Sequence, residues 1–512
     1  MKRSLIGLLF LAIFLPSTAL AQNRTAASPA AAATAAAAQT RPTFEVPFVN
    51  KKLANGLEVI VLPDASVPIV TVELAVRNGS FTEPPELNGL SHLYEHMFFK
   101  PNMAAMLGQC EQLILRGGSN PVCNEPIRLR PQIGDVSYLR NIDTLGISYN
   151  GTTREEVVNY YFTTTSPNVE TAVRVINHGV RFPRFDQQDL EDEKRVVIGE
   201  LDRNEANPFS YLFRAVNDKL FYKHPTRKNP GGTRETVAAA TTAKMRLIQE
   251  RYYHPNNAAI IVTGDVRPDD VFKLVESIMG DWKPRAVDPF KEFPLVEHPP
   301  LPKSEAVVIE KNTGEESQSE EQNVFIQIGW HGPSIGKDDA GTYAADVFSY
   351  ILTQPDHRFQ RNLVDSGLAS AASINYYTQR NVGPISIFLI TTPEKAKAAL
   401  KATYAEIALF NTPGYYTDEE LENSKTILEA NDLFDREKPS EYSHTLGFWW
   451  SSTGIEYFRG YHQSLRAVSR DDINRYVNTY IIGKPRVAIA MVSPEVKEKA
   501  GLTNADLIGP GR

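Results

Sequence analysis

The chain has 512 residues, a formal net charge of −7 and 42% hydrophobic residues, a composition typical of a globular protein with more than one domain. No basic stripe is present, which argues against nucleic acid and against an anionic membrane as partners. Beyond the N-terminus, no segment approaches the roughly 18 apolar residues of a membrane-spanning helix, so no stable membrane anchor is expected.

The first 21 residues have the pattern of a secretory signal peptide. Lys2 and Arg3 form a charged start, Leu5 to Leu15 an apolar stretch, and Ala19-Leu20-Ala21 a small-residue cleavage site. We therefore expect cleavage after Ala21 and export to a bacterial periplasm. Residues 22–41 are rich in Ala and predict a disordered spacer.

Apolar periodicity predicts a mixture of strands and helices in the first half of the chain. The predicted strands are 57–62, 69–76, 138–150, 156–164 and 258–263, with the third and fourth turning at Gly151. The predicted helices are 89–99, 168–180, 186–204 and 236–253.

Six prolines between 284 and 302 predict an extended linker over 284–303. The second half then repeats the style of the first, and each half finishes with a helix that leads into an apolar strand. The predicted elements are strands at 323–330, 371–391 and 486–492 and helices at 338–352, 394–410 and 417–433. We expect an α+β fold of two related domains, 42–283 and 304–512, each a mainly antiparallel sheet packed with helices.

The string His92-Leu93-Tyr94-Glu95-His96 reads H-x-x-E-H, the inverse of the H-E-x-x-H order of many zinc peptidases. On a helix, His92 and His96 project from one face at the spacing that lets two imidazoles hold one Zn²⁺. Glu95 lies beside them and can act on a metal-bound water without being a ligand.

A catalytic zinc site needs a third protein ligand, and the acidic segment 190–201 offers two candidates. Glu193 and Glu200 are seven residues apart and share one face of a helix. A Glu-rich helix is also typical of an ordinary solvated surface. This pattern alone therefore does not decide between a metal ligand and a surface acid.

The only cysteines of the chain are Cys110 and Cys123. In an oxidising compartment, two cysteines at this short separation favour a disulfide over a reactive thiol. Their spacing fits no zinc-binding pattern.

The chain resembles the pitrilysin/insulinase family of zinc peptidases, in its short two-domain branch that includes the mitochondrial processing peptidases. The segments that carry the resemblance include 76–80 (VRNGS), 89–97 (GLSHLYEHM), 150–153 (NGTT), 193–200 (EKRVVIGE), 229–233 (NPGGT) and 253–257 (YHPNN). This likeness implies a zinc-dependent endopeptidase that binds one Zn²⁺ per chain through His92, His96 and Glu200. It also implies that Glu193 orients the site and that Glu95 is the general base.

The spacing between His96 and Glu200 is longer than the family pattern. An insertion spanning roughly 103–134 accounts for the excess, and it contains both cysteines. Because the motifs on either side are intact, we expect this insertion to decorate the rim of the site.

The resemblance further implies that Asn150, Gly151 and Thr152 bind peptide substrate along a strand edge, and that Arg358 holds substrate backbone. The Tyr that the family places after a G-L-A triplet is absent, since Ser370 follows Ala369. Tyr376 and Tyr377 are possible substitutes, although their spacing differs.

Short members of the family work in pairs, which implies a dimer either with a zinc-less homologous chain or with a second copy. Two other functions stay open from the sequence. One is a non-catalytic scaffold or peptide-binding subunit, and the other is a zinc hydrolase that acts on non-peptide substrates.

Overall fold

The computed structural model describes residues 45–139, 146–311 and 323–509, so the predicted signal peptide and spacer lie outside the described residues. The first half forms a six-stranded sheet of order β1-β2-β6-β3-β5-β4. Its strands are β1 Val49–Lys52, β2 Glu58–Pro63, β3 Ile69–Val76, β4 Ser148–Thr153, β5 Val158–Thr165 and β6 Ala258–Gly264. Only β2 and β6 pair in parallel, with Val59 opposite Ile260.

The second half forms a five-stranded sheet of order β7-β11-β8-β10-β9. Its strands are β7 Glu305–Glu310, β8 Val324–His331, β9 Ala371–Tyr376, β10 Pro384–Thr391 and β11 Val487–Val492. Again one pair is parallel, β7 with β11, and the other pairs are antiparallel. Apart from the additional β1, the two sheets have the same order, and the expected α+β fold of two related halves is confirmed.

Helices surround both sheets. In the first half they are α1 Leu90–Phe98, α2 Met103–Leu115, α3 Asn124–Ile133, α4 Val169–Arg181, α5 Gln187–Ala206, α6 Pro208–Leu220, α7 Arg234–Ala238, α8 Thr242–Tyr252, α9 Pro268–Met279 and α10 Pro289–Glu292. In the second half they are α11 Asp339–Thr353, α12 Arg358–Gln360, α13 Ala396–Ile407, α14 Asp418–Asp435, α15 Pro439–Ser452, α16 Ile455–Arg459, α17 Tyr461–Ala467, α18 Arg470–Tyr480, α19 Lys497–Ala500 and α20 Asn504–Ile508.

Helix α15 of the second half covers one face of the first sheet. Its buried side chains, among them Leu446 and Trp450, form an apolar cluster with Ile60, Ala75 and Ile261 of the first sheet. This cluster joins the two halves, because it removes apolar surface of both from water.

The disulfide between Cys110 and Cys123 ties α2 to the turn that precedes α3. These two helices share a small apolar cluster that includes Leu107 and Ile133, and Phe182, the residue that follows α4, packs against it. In addition, the imidazole of His178 in α4 contacts both the carbonyl of Ile133 and the hydroxyl of Tyr138. The segment predicted as an insertion is therefore a helical pair fixed to the side of the first half.

The structure corrects two of the predicted elements and adds a short helix inside the predicted linker. Gly151 lies inside β4, and the chain turns instead between β4 and β5, at 154–157. The helix predicted at 236–253 is divided into α7 and α8. The predicted linker 284–303 contains the short helix α10, which begins at Pro289, the first helical position, where a missing N–H costs nothing.

Candidate metal centre

Helix α1, which carries the H-x-x-E-H string, is held at its N-terminus by a buried carboxylate. Glu83 accepts the backbone N–H of Gly89 at 2.7 Å and that of Ser91 at 2.6 Å, and it thereby replaces a side-chain cap. Gly89 has a φ of 85° and lies so close to Gly231 that a Cβ atom would stand 2.7 Å from its carbonyl oxygen. Only glycine fits there, and the start of α1 is therefore fixed from two sides.

Helix α5 brings the acidic segment to the same place. It begins after Asp186, whose carboxylate accepts the N–H groups of Gln188 and Asp189. Leu190, Val197 and Leu201 form its buried stripe against the core, and this orientation turns Glu193 and Glu200 toward α1.

The side chains of His92, His96 and Glu200 converge. The Nε2 atoms of His92 and His96 both lie 3.5 Å from the same oxygen of Glu200, and a nitrogen or oxygen from each residue lies within 4.8 Å of those from the other two. The two imidazole rings are 4.9 Å apart and nearly perpendicular. Two imidazoles and one carboxylate facing a common point can hold a divalent metal ion such as zinc.

Glu193 orients His96. Its carboxylate is 2.9 Å from Nδ1 of His96 and is also paired with the ammonium group of Lys100. Burial lowers the pKa of His96, but hydrogen bonds with Glu193 and Glu200 outweigh it and raise that pKa to about 10. By contrast, burial and the neighbouring His96 lower the pKa of His92 to about 4. The contact at Nδ1 leaves Nε2 of His96 facing Glu200.

Glu95 lies beside this cluster on the buried side of α1. Burial raises the pKa of Glu95 to about 7, and the hydroxyl of Thr153 donates a hydrogen bond to its carboxylate at 3.2 Å. A Cβ atom at Gly151 would stand 2.6 Å from the same carboxylate. Position 151 therefore has to be glycine for Glu95 to lie against β4.

Strand β4 is at the edge of the first sheet. It pairs with β5 on one side, and within the described residues no strand pairs with its other side. Asn150 and Thr152 are exposed on it, and the side chain of Asn150 accepts the N–H of Gly151 at 2.9 Å. The strand edge thus leads directly past Glu95.

Arg358 is not brought to this cluster by any contact of the described residues. Its guanidinium makes two hydrogen bonds of 3.0 Å with the buried Glu406, and it stacks on Tyr415. The hydroxyls of Tyr376 and Tyr377 are bonded to the carbonyl of Pro333 and to Glu155, so neither is free.

Sequence reasoning missed Lys100 and Glu83, and it did not foresee that Thr153, in the segment 150–153, contacts Glu95. Lys100 follows His96 by four residues, so helical spacing was a usable signal for it. For Glu83 and Thr153 no local pattern was available, because their contacts depend on how loops and strands meet.

Comparison with known proteins identifies the family. A family model described as Insulinase (Peptidase family M16) matches residues 59–114 and 134–233, and one described as Peptidase M16 inactive domain matches residues 239–428. Together they span more than half of the chain. The chain belongs to the insulinase family. In this insulinase-family chain, the unmatched residues 115–133 fall inside the predicted insertion.

Relatives of this insulinase-family chain are named zinc proteases. It is 23% identical to the uncharacterized zinc protease YmxG of Bacillus subtilis, over 74% of this chain and 81% of that protein. It is 20% identical to the zinc protease PqqE of Helicobacter pylori, over 84% and 89% respectively. A crystal structure of a protease from Helicobacter pylori has the same fold, with a TM-score of 0.71, 19% identity and coverage of 87% and 99%.

None of the helices in the described part of this insulinase-family chain has both the length and the apolar character needed to cross a membrane.

Proposed function

We propose that this protein is a zinc-dependent endopeptidase that hydrolyses peptides or unfolded segments, with Glu95 as general base. The observation that carries the proposal is the convergence of His92, His96 and Glu200 on one point, with Glu95 next to it. The zinc-protease names of the relatives support it.

The donor set fits a catalytic zinc ion. Two imidazole nitrogens and one carboxylate oxygen are a ligand set of catalytic zinc sites, which keep a further position for water. His92 and Glu200 are partly exposed, so a water molecule can approach them from solvent. A zinc ion bound there supplies a water of lowered pKa and polarises the scissile carbonyl.

The other residues of the centre handle the proton and the geometry. Glu95, whose pKa is raised to about 7, can accept a proton from water near neutrality and return it to the leaving amine. Thr153 holds the carboxylate of Glu95 in place, and Glu193 with Lys100 keeps His96 oriented.

We propose that the substrate adds to the free edge of β4 as an extended strand. Backbone hydrogen bonds at Asn150, Gly151 and Thr152 then place the peptide past Glu95. Arg358 is occupied by Glu406, so its predicted hold on substrate requires that this pair open. We also propose export to the periplasm, from the signal-like N-terminus, and a dimer in which a second chain completes the grip on substrate.

The test is metal analysis combined with a single substitution. We expect the purified chain to contain one zinc and to cleave an internally quenched peptide. Glu95→Gln retains the zinc and lowers kcat by roughly 10²–10⁴-fold, the usual contribution of a general base. Glu191→Gln, a partly exposed acid on α5 that pairs with Lys194, is the matched control and leaves both properties unchanged.

Two results contradict the proposal. If Glu95→Gln retains full turnover, Glu95 is not the general base. If the purified chain contains no metal, the reaction does not use zinc. A chain that binds zinc and peptide yet cleaves nothing is instead a peptide-binding subunit.

A further inference from the structure

The second half has a helix in the place that α1 occupies in the first half. Each of these helices follows the strand that lies next to the parallel pair, since α1 follows β3 and α11 follows β8. Helix α11 carries no histidine. Instead, Tyr343, Asp346 and Tyr350 are spaced by three and four residues, so they share one face of the helix.

Asp346 is a half-buried carboxylate, and the described residues place no cation against it. Within the described residues it forms no ion pair, and its one hydrogen bond comes from the hydroxyl of Tyr461 at 2.7 Å. Burial raises the pKa of Asp346 to about 7. A carboxylate removed from water is stabilised mainly by a positive partner, and the described part of the chain supplies none here.

Tyrosines surround this carboxylate. Tyr343, Tyr350, Tyr457 and Tyr461 are half-buried, and we call them, together with Asp346, the tyrosine recess. The ring of Tyr343 lies 5.2 Å from that of Tyr457 and 5.9 Å from that of Tyr461. Tyrosine faces attract cations, and desolvation strengthens this attraction.

The basic groups beside the recess already have an acidic partner, since His462, whose ring lies 5.8 Å from that of Tyr461, and Arg436 are both paired with Asp432. The charge of Asp346 also acts on Tyr376 of β9 and on Tyr476 of α18, whose hydroxyl has no hydrogen-bond partner within the described residues. The negative charge of Asp339 in α11 acts on Tyr343, and that of Asp435 in α14 acts on Tyr350. Among the described residues no basic group is partnered with Asp346 itself, so a ligand of positive charge is favoured there.

We propose that the tyrosine recess binds the cationic side chain of an Arg or Lys residue in a peptide. The carboxylate of Asp346 neutralises the charge, and the half-buried tyrosine rings contact the guanidinium or ammonium group. Because the ligand is a side chain of a peptide substrate, this proposal rests on the proposed peptidase function. It makes the second half a binding site for basic peptides, separate from the metal centre on α1.

The test compares two fluorescent dodecapeptides that differ only in three positions, which hold arginine in one and its neutral isostere citrulline in the other. Binding is measured by fluorescence anisotropy to zinc-loaded Glu95→Gln, so that no cleavage intervenes. We expect the arginine peptide to bind at least about tenfold tighter than the citrulline peptide. Adding Asp346→Asn removes this preference and leaves the affinity for the citrulline peptide unchanged.

Controls separate the recess from general attraction by a negatively charged protein. Glu495→Gln removes one exposed acid elsewhere and keeps the preference for arginine. If Asp346→Asn keeps it as well, or if the two peptides bind equally to the starting protein, the proposal is overturned.

A second measurement does not depend on the folding of a variant. Between pH 6 and 8, Asp346 loses its proton, so the arginine peptide binds more tightly as the pH rises, whereas the citrulline peptide does not. A pH-independent preference contradicts the proposal. The two proposals can fail separately. If the protein prefers the arginine peptide but the parent chain cleaves nothing, only the peptidase function is refuted. If the parent chain cleaves peptides but shows no preference for arginine, only the role of the tyrosine recess is refuted.

Discussion

The two halves of the molecule use one scaffold for two different recesses. Each places a helix after the antiparallel strand beside its parallel pair, and each carries on that helix one acid whose pKa is raised to about 7 by desolvation. In the first half the acid is Glu95, beside two imidazoles and Glu200. In the second half it is Asp346, beside tyrosines.

The difference shows that the fold supplies the position and the side chains supply the chemistry. The first recess gathers nitrogen and oxygen donors that suit a metal ion, and it has Lys100 to balance Glu193. The second has one carboxylate and aromatic faces, and among the described groups it has no metal-binding set. The following experiments act on one recess at a time.

The largest effect is expected from removing a ligand of the first recess. Glu200→Gln eliminates the carboxylate that faces both imidazoles, so we expect loss of bound zinc and of peptide cleavage. The counterpart change, Asp346→Asn, leaves the zinc content unchanged. Metal analysis by mass spectrometry checks both, and zinc retained at full occupancy in Glu200→Gln would falsify its place as a ligand.

A smaller effect is expected from the residues that orient His96. Glu193→Gln weakens the contact with Nδ1, and we expect zinc affinity to fall roughly 10–100-fold, as for other groups that orient metal-bound histidines. Lys100→Met lowers it less, because Glu193 still reaches His96. Competition with a zinc-binding dye measures both, and an unchanged affinity in Glu193→Gln means that packing alone orients the ring.

The smallest effect concerns the pH dependence of stability in the second recess. Between pH 6 and 8 the unfolded chain has already released the proton of Asp346, whereas the folded chain releases it near pH 7. Stability therefore falls as the pH rises, by about 1.4 kcal/mol for one proton over this range. Asp346→Asn lacks this contribution.

Denaturant titrations in a Glu95→Gln background measure this. The other acids whose pKa burial raises, such as Glu83 and Glu156, are present in both proteins and cancel in the comparison. If the free energy of unfolding depends on pH in the same way with and without Asp346→Asn, the prediction is contradicted.

Most strands could be predicted from the sequence because apolar periodicity is a local property. Strand β3 was predicted at its observed bounds, and β6 within a residue or so. The order of the strands was not available, since β2 and β6 pair across about 200 residues of chain. Gly151 misled the prediction because its absent side chain makes room for Glu95 instead of forming a turn.

For the candidate site, the sequence supplied the residues, and the structure adds their arrangement. The helical spacing of His92 and His96 was visible, while Glu200 entered through the resemblance to the family. The tyrosine recess was not foreseen. Its three residues on α11 have the spacing of any amphipathic helix, and its other walls come from α16 and α17, more than 100 residues later.

The cover that α15 places on the first sheet has a consequence for biosynthesis. The first half leaves the ribosome long before residues 439–452 exist, so the sheet face formed by Ile60, Ala75 and Ile261 stays open during most of translation. Glu73 on that face also waits for Ser443, which donates to it at 2.6 Å. The half that contains the candidate metal centre thus reaches its final packing only when nearly the whole chain has been synthesised.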